Sequence, residues 1–466
     1  MMEINFQDDK LLPLWEKVQQ EERLTREEGQ ILWGTEDLLS LGKMAAAVQQ
    51  RMHGDAVYFA LSQKLAPAGI CLYGQGETSA ERLDCLLELR AAQDEAGGFM
   101  AFAPLAFPMD GAVLNSLPEL ALADKIKIIA VARLMLDNVP HIKVPLAMGE
   151  IAAAQALGCG ADDLEGTPDG ETAALEDGAP GPAALAQERL VKTIQQAGKI
   201  PVERDAYYRP LHVLAENVVG KITYLNSVPF YNYFEKGAFQ LLPAAPRYLG
   251  MLSARGGIIA APFSLMDYLA QEEDLELMDY CIASREKVLS ILLFSRYPWS
   301  ELQGKNIGII DDTATSVHLL RVLLEKKYQV AATLTRMKGE NSNYQDFAAV
   351  LLIGDEALRR GKTGLPGFAR VFDLAAEWYA WQKMPFVFAV WAVRKSLSPA
   401  VKRDLKEALR KALAREEREP APGNARHGRR IGLTPLETAA YLEGINFHLG
   451  EAERAALEVF RELAIP

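Results

Sequence analysis

Cysteine is scarce. The chain of 466 residues holds four, Cys71, Cys85, Cys159 and Cys281, with no CxxC pair among them. That number and spacing argue against a disulfide framework and against a Cys-rich metal knuckle. Long apolar runs are missing as well: the longest, around Val288–Phe294 and Pro385–Val393, fall far short of the roughly 20 residues a membrane span requires. The first ten residues carry Asp8 and Asp9 and no apolar stretch, so no signal peptide is expected. Positive charge is outweighed, with 50 Lys and Arg against 62 Asp and Glu for a net charge of −12. An acidic balance disfavours a general nucleic-acid or anionic-membrane binder. The expectation is a cytoplasmic protein that meets a small molecule, with no nucleic-acid or membrane partner.

What is present suits a globular chain. Hydrophobic residues at 49% and charged residues at 24% exclude wholesale disorder, and the length implies two or more domains, because single cores stop growing at roughly 250–300 residues. Thr25-Arg26-Glu27-Glu28 is a capping box. Beyond it, short apolar pieces (56–61, 69–72, 99–107, 141–144) alternate with helical stretches (80–96, 122–135), the βα signature of a parallel sheet or barrel. Residues 165–181 read as a loop, 187–198 as a helix and 199–202 as a strand. A second unit starts near Val219, with strands expected at 221–225, 257–261, 288–294, 304–310, 348–353 and 386–393. Helices follow Ser398-Pro399 and Thr434-Pro435. The boundary falls within Tyr207–Gly220, giving domains 1–210 and 211–466.

The second half resembles chorismate dehydratase of the futalosine route to menaquinone. The resemblance rests on five stretches in order: Ile222–Phe230; Cys281–Arg285 with Ser290–Ser295; Thr313–Val317; Leu351–Leu358; and Asp373–Tyr379 with Pro385–Trp391. It implies a two-lobed fold like type II periplasmic binding proteins, with chorismate bound between the lobes and converted to 3-[(1-carboxyvinyl)oxy]benzoate and water without a cofactor. It also implies a site built on Asn226 as the catalytic residue, with Ser227, Ser264, Ser284, Arg285, Thr313, Thr315 and Ser316 binding substrate. Plainer roles are open to four of them: Asn226 an Asx-turn before Pro229, Thr313 or Ser316 a helix N-cap, Arg285 a surface partner of Glu286. Trp378, Trp381, Phe386 and Phe388 can wall a dry pocket or simply fill a core. For a proton acceptor His318 and Glu377 are candidates, beside the substrate's own side-chain carboxylate. Two departures stand out, Glu286-Lys287 in place of the family's Gly-Pro and Ala375 in place of its Gly. The alternatives kept open are a non-catalytic clamp of the same fold and dihydroxynaphthoate synthase of the same pathway.

The first half resembles the radical-SAM enzyme aminofutalosine synthase, in pieces that include His53-Gly54-Asp55, Gly74–Thr78, His141-Ile142-Lys143, Gly160-Ala161-Asp162-Asp163 and Pro201–Asp205. The family's CxxxCxxC loop and several barrel strands are replaced here by Ser62–Ala68. The three thiolates an iron–sulfur cluster needs do not occur at that spacing. The expectation is therefore an α/β chain: an incomplete TIM-barrel-like βα layer without iron, S-adenosylmethionine or catalytic residue, followed by the two-lobed domain. Its uncovered sheet edge is expected to be buried in a homodimer or against a pathway enzyme.

Overall fold

The structure is a computed structural model that describes residues 4–60, 68–73, 76–106, 121–145, 149–165, 182–310, 314–337 and 343–465. Gly74, Gln75 and Thr313 lie outside them. The chain divides into two compact units, Met1–Glu216 and Asn217–Pro466.

The first unit opens with three helices, α1 (Leu11–Gln20), α2 (Arg26–Gly34) and α3 (Leu38–His53), and Thr25 closes the expected capping box with Glu28. Strands β1 (Ala56–Ala60), β2 (Ala68–Tyr73), β3 (Ala101–Ala106) and β4 (His141–Pro145) alternate with α4 (Ser79–Ala96) and α5 (Leu122–Met135). They continue through α6 (Glu150–Leu157), β5 (Asp163–Glu165), α7 (Pro182–Gln196), β6 (Ile200–Arg204) and β7 (Pro210–Val213). Among the described residues the strands form one seven-stranded sheet in the order β2-β3-β4-β5-β1-β6-β7. β1 pairs in parallel with β5 on one side and β6 on the other, and only β7 runs antiparallel. The first strand thus still meets the last strand of the βα series, as in a closed barrel, while β2 is left as an outer strand. One face is apolar, with Val57, Phe59, Ile142, Val144 and Leu164 packed into the helical core.

The expectation of no disulfide is corrected here. Cys71 on β2 and Cys85 on α4 are bonded, with Cα atoms 6.4 Å apart. A helix that follows its strand folds back across it, so 14 residues of sequence become side-by-side positions in space. Cys159 and Cys281 remain free.

The second unit holds two sheets. Strands β8 (Val218–Ile222), β9 (Gln240–Ala244), β10 (Ala260–Ser264) and β11 (Leu275–Ser284) build the first lobe, interleaved with α8 (Pro246–Ala254) and α9 (Leu265–Leu269). The chain then crosses into β12 (Ile291–Ser295), β13 (Asn306–Ile309), α10 (Thr315–Val322), β14 (Thr333–Arg336), β15 (Ala349–Ile353), α11 (Gly354–Thr363), β16 (Arg370–Asp373) and α12 (Leu374–Gln382). It returns through β17 (Phe386–Arg394), α13 (Pro399–Arg418), α14 (Pro422–Arg430), α15 (Pro435–Glu443), β18 (Ile445–His448) and α16 (Glu451–Ala464). The sheets run β18-β11-β17-β10-β8-β9 and β14-β13-β15-β12-β16. The chain therefore passes between the lobes twice, after β11 and before β17. The two longest strands, ten and nine residues, flank those crossings. Trp378, Phe386 and Phe460 interlock edge-to-face in the core, so of the four aromatics named above only Phe388 reaches the pocket described next.

Candidate active site

A pocket of about 420 Å³, its open mouth included, lies between the two lobes of the second unit. Its floor is where parallel strands end: Ile222 closes β8, Ser264 closes β10, and Ile353 and Gly354 join β15 to α11. Carboxyl ends of strands are where α/β folds bind ligands, because the loops there diverge and leave a crevice. Four helices begin at the pocket wall. Pro246 opens α8, Ser264 caps α9, Ser316 sits in the first turn of α10, and Gly354 opens α11. The positive dipole ends of helices favour negative charge, although the Met266 and Asp267 amides of α9 are taken by Thr315 and Ser264 and the Gly354 amide of α11 by the Ser290 carbonyl. The rest of the lining is apolar or hydroxylic, including Tyr224, Ile282, Ser290, Ile291 and Phe388.

Asn226 stands in a 3-10 turn, Leu225–Phe230, directly after β8. It lines the pocket, and its side-chain oxygen Oδ1 is buried without a hydrogen-bond partner. An Asx-turn would have used that oxygen locally. Its amide lies beside the hydroxyl of Tyr441, which burial holds well above the usual phenol range. Tyr441 in turn donates to Ser290 Oγ at 2.9 Å. Ser264 lines the pocket and donates to Asp267 Oδ2 at 2.6 Å. Burial pushes the Asp267 carboxyl up to about 6, against the opposing pull of Ser264 and Arg247. No sequence pattern singled out Asp267; its spacing from Ser264 is that of an ordinary N-cap residue and its third helical position.

The other expected residues are placed differently. Ser316 lines the pocket, whereas Thr315 is 1% exposed and accepts the Met266 amide at 3.0 Å, tying α10 to α9 across the lobes. Ser227 is buried against Tyr231, and Ser284 is buried with its hydroxyl unpaired two residues beyond Ile282; neither lines the pocket. Arg285 is exposed at the end of β11 with Glu286 and Lys287, so the family departure there turns toward solvent. His318 Nδ1 bonds the Ala314 carbonyl at 2.8 Å, and Glu377 is held by Lys327 at 2.5 Å and by Tyr328. Neither acid–base candidate lines the pocket.

In the first unit the polar residues form a buried network. Asp162 accepts from Arg133, from His141 and from the Ile142 amide at 2.8 Å. Asp163 accepts from Arg204 at 2.6 Å and from the Tyr208 hydroxyl at 2.5 Å, and the His141 ring stacks on Tyr208 at 3.8 Å. His53, His141 and Asp162 bring ligand-type atoms within 4.8 Å of one another. Those atoms are already used: His53 Nε2 bonds the Pro140 carbonyl at 2.7 Å, and the Arg133 guanidinium neutralises Asp162. Burial lowers His53 to about 3, so it is neutral. Although burial opposes it, the neighbouring His53 and His141 rings and the Arg133 guanidinium hold Asp162 well below the usual carboxylate range. This is an internal ion-pair network, not a metal cage. Nor do the cysteines fit an iron–sulfur cluster, since Cys71 and Cys85 are bonded to each other and Cys159 packs instead against Gly42.

The two sheets, two crossings and interlobe pocket define the second unit as a two-lobed, binding-protein-like α/β domain. By sequence, residues 218–465 match the menaquinone biosynthesis family, and the chain belongs to it. Residues 96–217 match the CofH/MqnC C-terminal region. Chorismate dehydratase of Thermus thermophilus is 32% identical over 266 residues, 53% of this chain and 96% of that protein. Aminodeoxyfutalosine synthase of the same organism is 46% identical over 147 residues, 30% of this chain, and the match spans only 40% of that enzyme. Among solved structures, the alkanesulfonate-binding protein SsuA of Xanthomonas axonopodis pv. citri aligns over 53% of this chain and 93% of its own, with 16% identity and a TM-score of 0.41. The described residues contain no helix long and apolar enough to cross a membrane.

Proposed function

We propose that the second unit is a chorismate dehydratase, a hydro-lyase that removes the 4-hydroxyl and the 3-hydrogen of chorismate as water and leaves an aromatic 3-[(1-carboxyvinyl)oxy]benzoate. The observation that carries this reading is the unpartnered Asn226 Oδ1 in a pocket ringed by four helix N-termini. The substrate's carboxylates would lie at the starts of α10 and α11, where Ser316 Oγ and free amides donate. The Asn226 amide would hold the leaving hydroxyl, and the apolar lining would exclude water. The proton acceptor we assign is the substrate's own side-chain carboxylate, since neither His318 nor Glu377 lines the pocket. Aromatisation supplies the driving force, so positioning is the main task left to the protein.

The first unit, on this reading, holds neither an iron–sulfur cluster nor S-adenosylmethionine and performs no chemistry. The test is to incubate the full chain with chorismate and follow loss of one water by mass. Turnover supports the reading. Binding without turnover favours the clamp of the same fold, and neither binding nor turnover defeats the chorismate assignment, leaving the dihydroxynaphthoate synthase reaction to be assayed.

A further inference from the structure

Leu225, the residue before Asn226, is fully buried, and its amide needs an acceptor. That acceptor comes from the opposite lobe: Leu225 N–H donates to Asp355 Oδ1 at 2.9 Å. Asp355 is the second residue of α11, one past Gly354, which adopts φ +59° with the Tyr224 ring packed against its Cα. The second carboxylate oxygen, Oδ2, accepts from His427 Nε2 at 2.6 Å. His427 sits on α14 and is 9% exposed.

Helix α14 is fastened to the Asn226 turn. Asn232, just past that turn, donates to Asn424 Oδ1 of α14 at 2.8 Å and to the buried Glu416 at 3.0 Å. Glu416 Oε1 accepts the Ala421 amide at 3.2 Å. His427 and Leu225 therefore belong to one rigid group on the first lobe, and Asp355 reaches it from the second with both oxygens filled. A carboxylate with two donors is a strong and directional tie.

We propose that Asp355 and His427 are positioning residues for the dehydratase reaction, locking the Asn226 turn across the cleft. The proposal rests on the function proposed above. It gives a task to Gly354-Asp355, a motif with no expected role in binding. His427 orients Asp355, Asp355 fixes the Leu225 amide, and the Leu225 amide sets where the Asn226 side chain points. A displacement of about 1 Å at a reacting group can cost on the order of 100-fold in rate. Such a loss should fall on kcat more than on KM, because the pocket's anion donors are untouched.

The test compares Asp355→Ala, His427→Ala and His427→Gln with the parent full chain, measuring kcat, KM, Tm and hydrogen exchange of the Leu225 amide without substrate. We expect the two alanine variants to lose roughly 10- to 100-fold in kcat with KM within about threefold, and Leu225 exchange to accelerate most in Asp355→Ala. His427→Gln, which keeps a side-chain donor, should recover most of the rate. Unchanged exchange, parental kcat in Asp355→Ala, or loss of Tm with no kcat difference between Gln and Ala at position 427 would overturn the proposal. If the parent does not turn over chorismate, the functional reading has failed, while the exchange rates still decide whether Asp355 and His427 hold the turn.

Discussion

At the residue scale, Asn226 separates a binding role from a folding one. A buried amide oxygen without a partner contributes nothing to stability and can cost some, so its removal is close to neutral. Asn226→Ala should cut turnover by about 100-fold or more while Tm stays within a few degrees. Comparable losses of Tm and activity would show that the side chain serves the turn. Thr315 and Ser316, adjacent and equally buried, should part company. Ser316→Ala should raise KM with little effect on Tm, whereas Thr315→Val breaks the bond to the Met266 amide and should lower Tm. Identical profiles for the two would remove the distinction.

Asp267 makes a pH prediction at the same scale. Its folded pKa, about 6, lies above the ordinary aspartate value. The neutral form is therefore favoured by folding. Its contribution to stability is complete below pH 4 and is lost as pH rises through 6, reaching about 3 kcal/mol as an upper figure. Asp267→Asn, neutral at every pH, should be more stable than the parent at pH 8, with the advantage vanishing toward pH 4. A pH-independent difference in Tm would mean that Asp267 does not titrate in this range.

At the scale of elements, the expected strands were those with strong apolar runs, and the structure has strands at or near each of them: β1, β3, β4, β12, β13, β15 and β17 all carry such runs. Strands β7, β9, β11 and β18 were not anticipated, and the three other unexpected strands have physical reasons for silence. β5 has three residues, two of them acidic, too short and too polar to show an apolar pattern, and it is held by parallel pairing with β1 and β4. β14 and β16 are outer strands of four residues with exposed Arg336 and Arg370, and edge strands carry polar side chains that mask periodicity. Of the site, Asn226, Ser264 and Ser316 could be named from motifs, while Tyr441, Asp355, His427 and Asp267 could not. Asp355, His427 and Tyr441 act through contacts 130 residues apart (Leu225 with Asp355), 72 apart (His427 with Asp355) or 151 apart (Tyr441 with Ser290), which local spacing does not record. Asp267 has only the spacing of an ordinary N-cap pair.

The β15–α11 junction carries an element-scale prediction. Gly354 has φ +59°, and a Cβ there would sit 2.8 Å from the Tyr224 ring. Gly354→Ala should cost at least roughly 1–2 kcal/mol from the left-handed backbone alone. The displaced ring should also disturb the pocket it lines. A lowered Tm together with reduced turnover is the expected result. Parental behaviour in both would show that the junction relaxes without consequence.

At the scale of the whole molecule, the two units are held by different physics. The second closes its lobes with scattered hydrogen bonds around a pocket. The first is centred on an ion-pair network made from the motif residues that carry its resemblance to a radical-SAM enzyme: His53, His141, Asp162, Asp163 and Arg204. Those residues persist here beside a disulfide-bonded Cys71 and Cys85, which fits a role in holding the sheet. Asp162 is fully buried and Arg133 is 1% exposed. Neutralising one member of such a pair strands the other charge in a dry interior, which typically costs 3–5 kcal/mol. Asp162→Asn should therefore lower the melting of the first unit by many degrees. Because Asp162 lies in residues 1–216 and the pocket lies wholly in 217–466, chorismate turnover by the surviving second unit should continue at temperatures below its own transition. Calorimetry of the full-length variant, read beside its rate with chorismate, checks both halves of this expectation. An unshifted first transition would show that the network is dispensable for folding. Abolished turnover in a protein whose second transition is intact would show that the first unit supports the reaction after all.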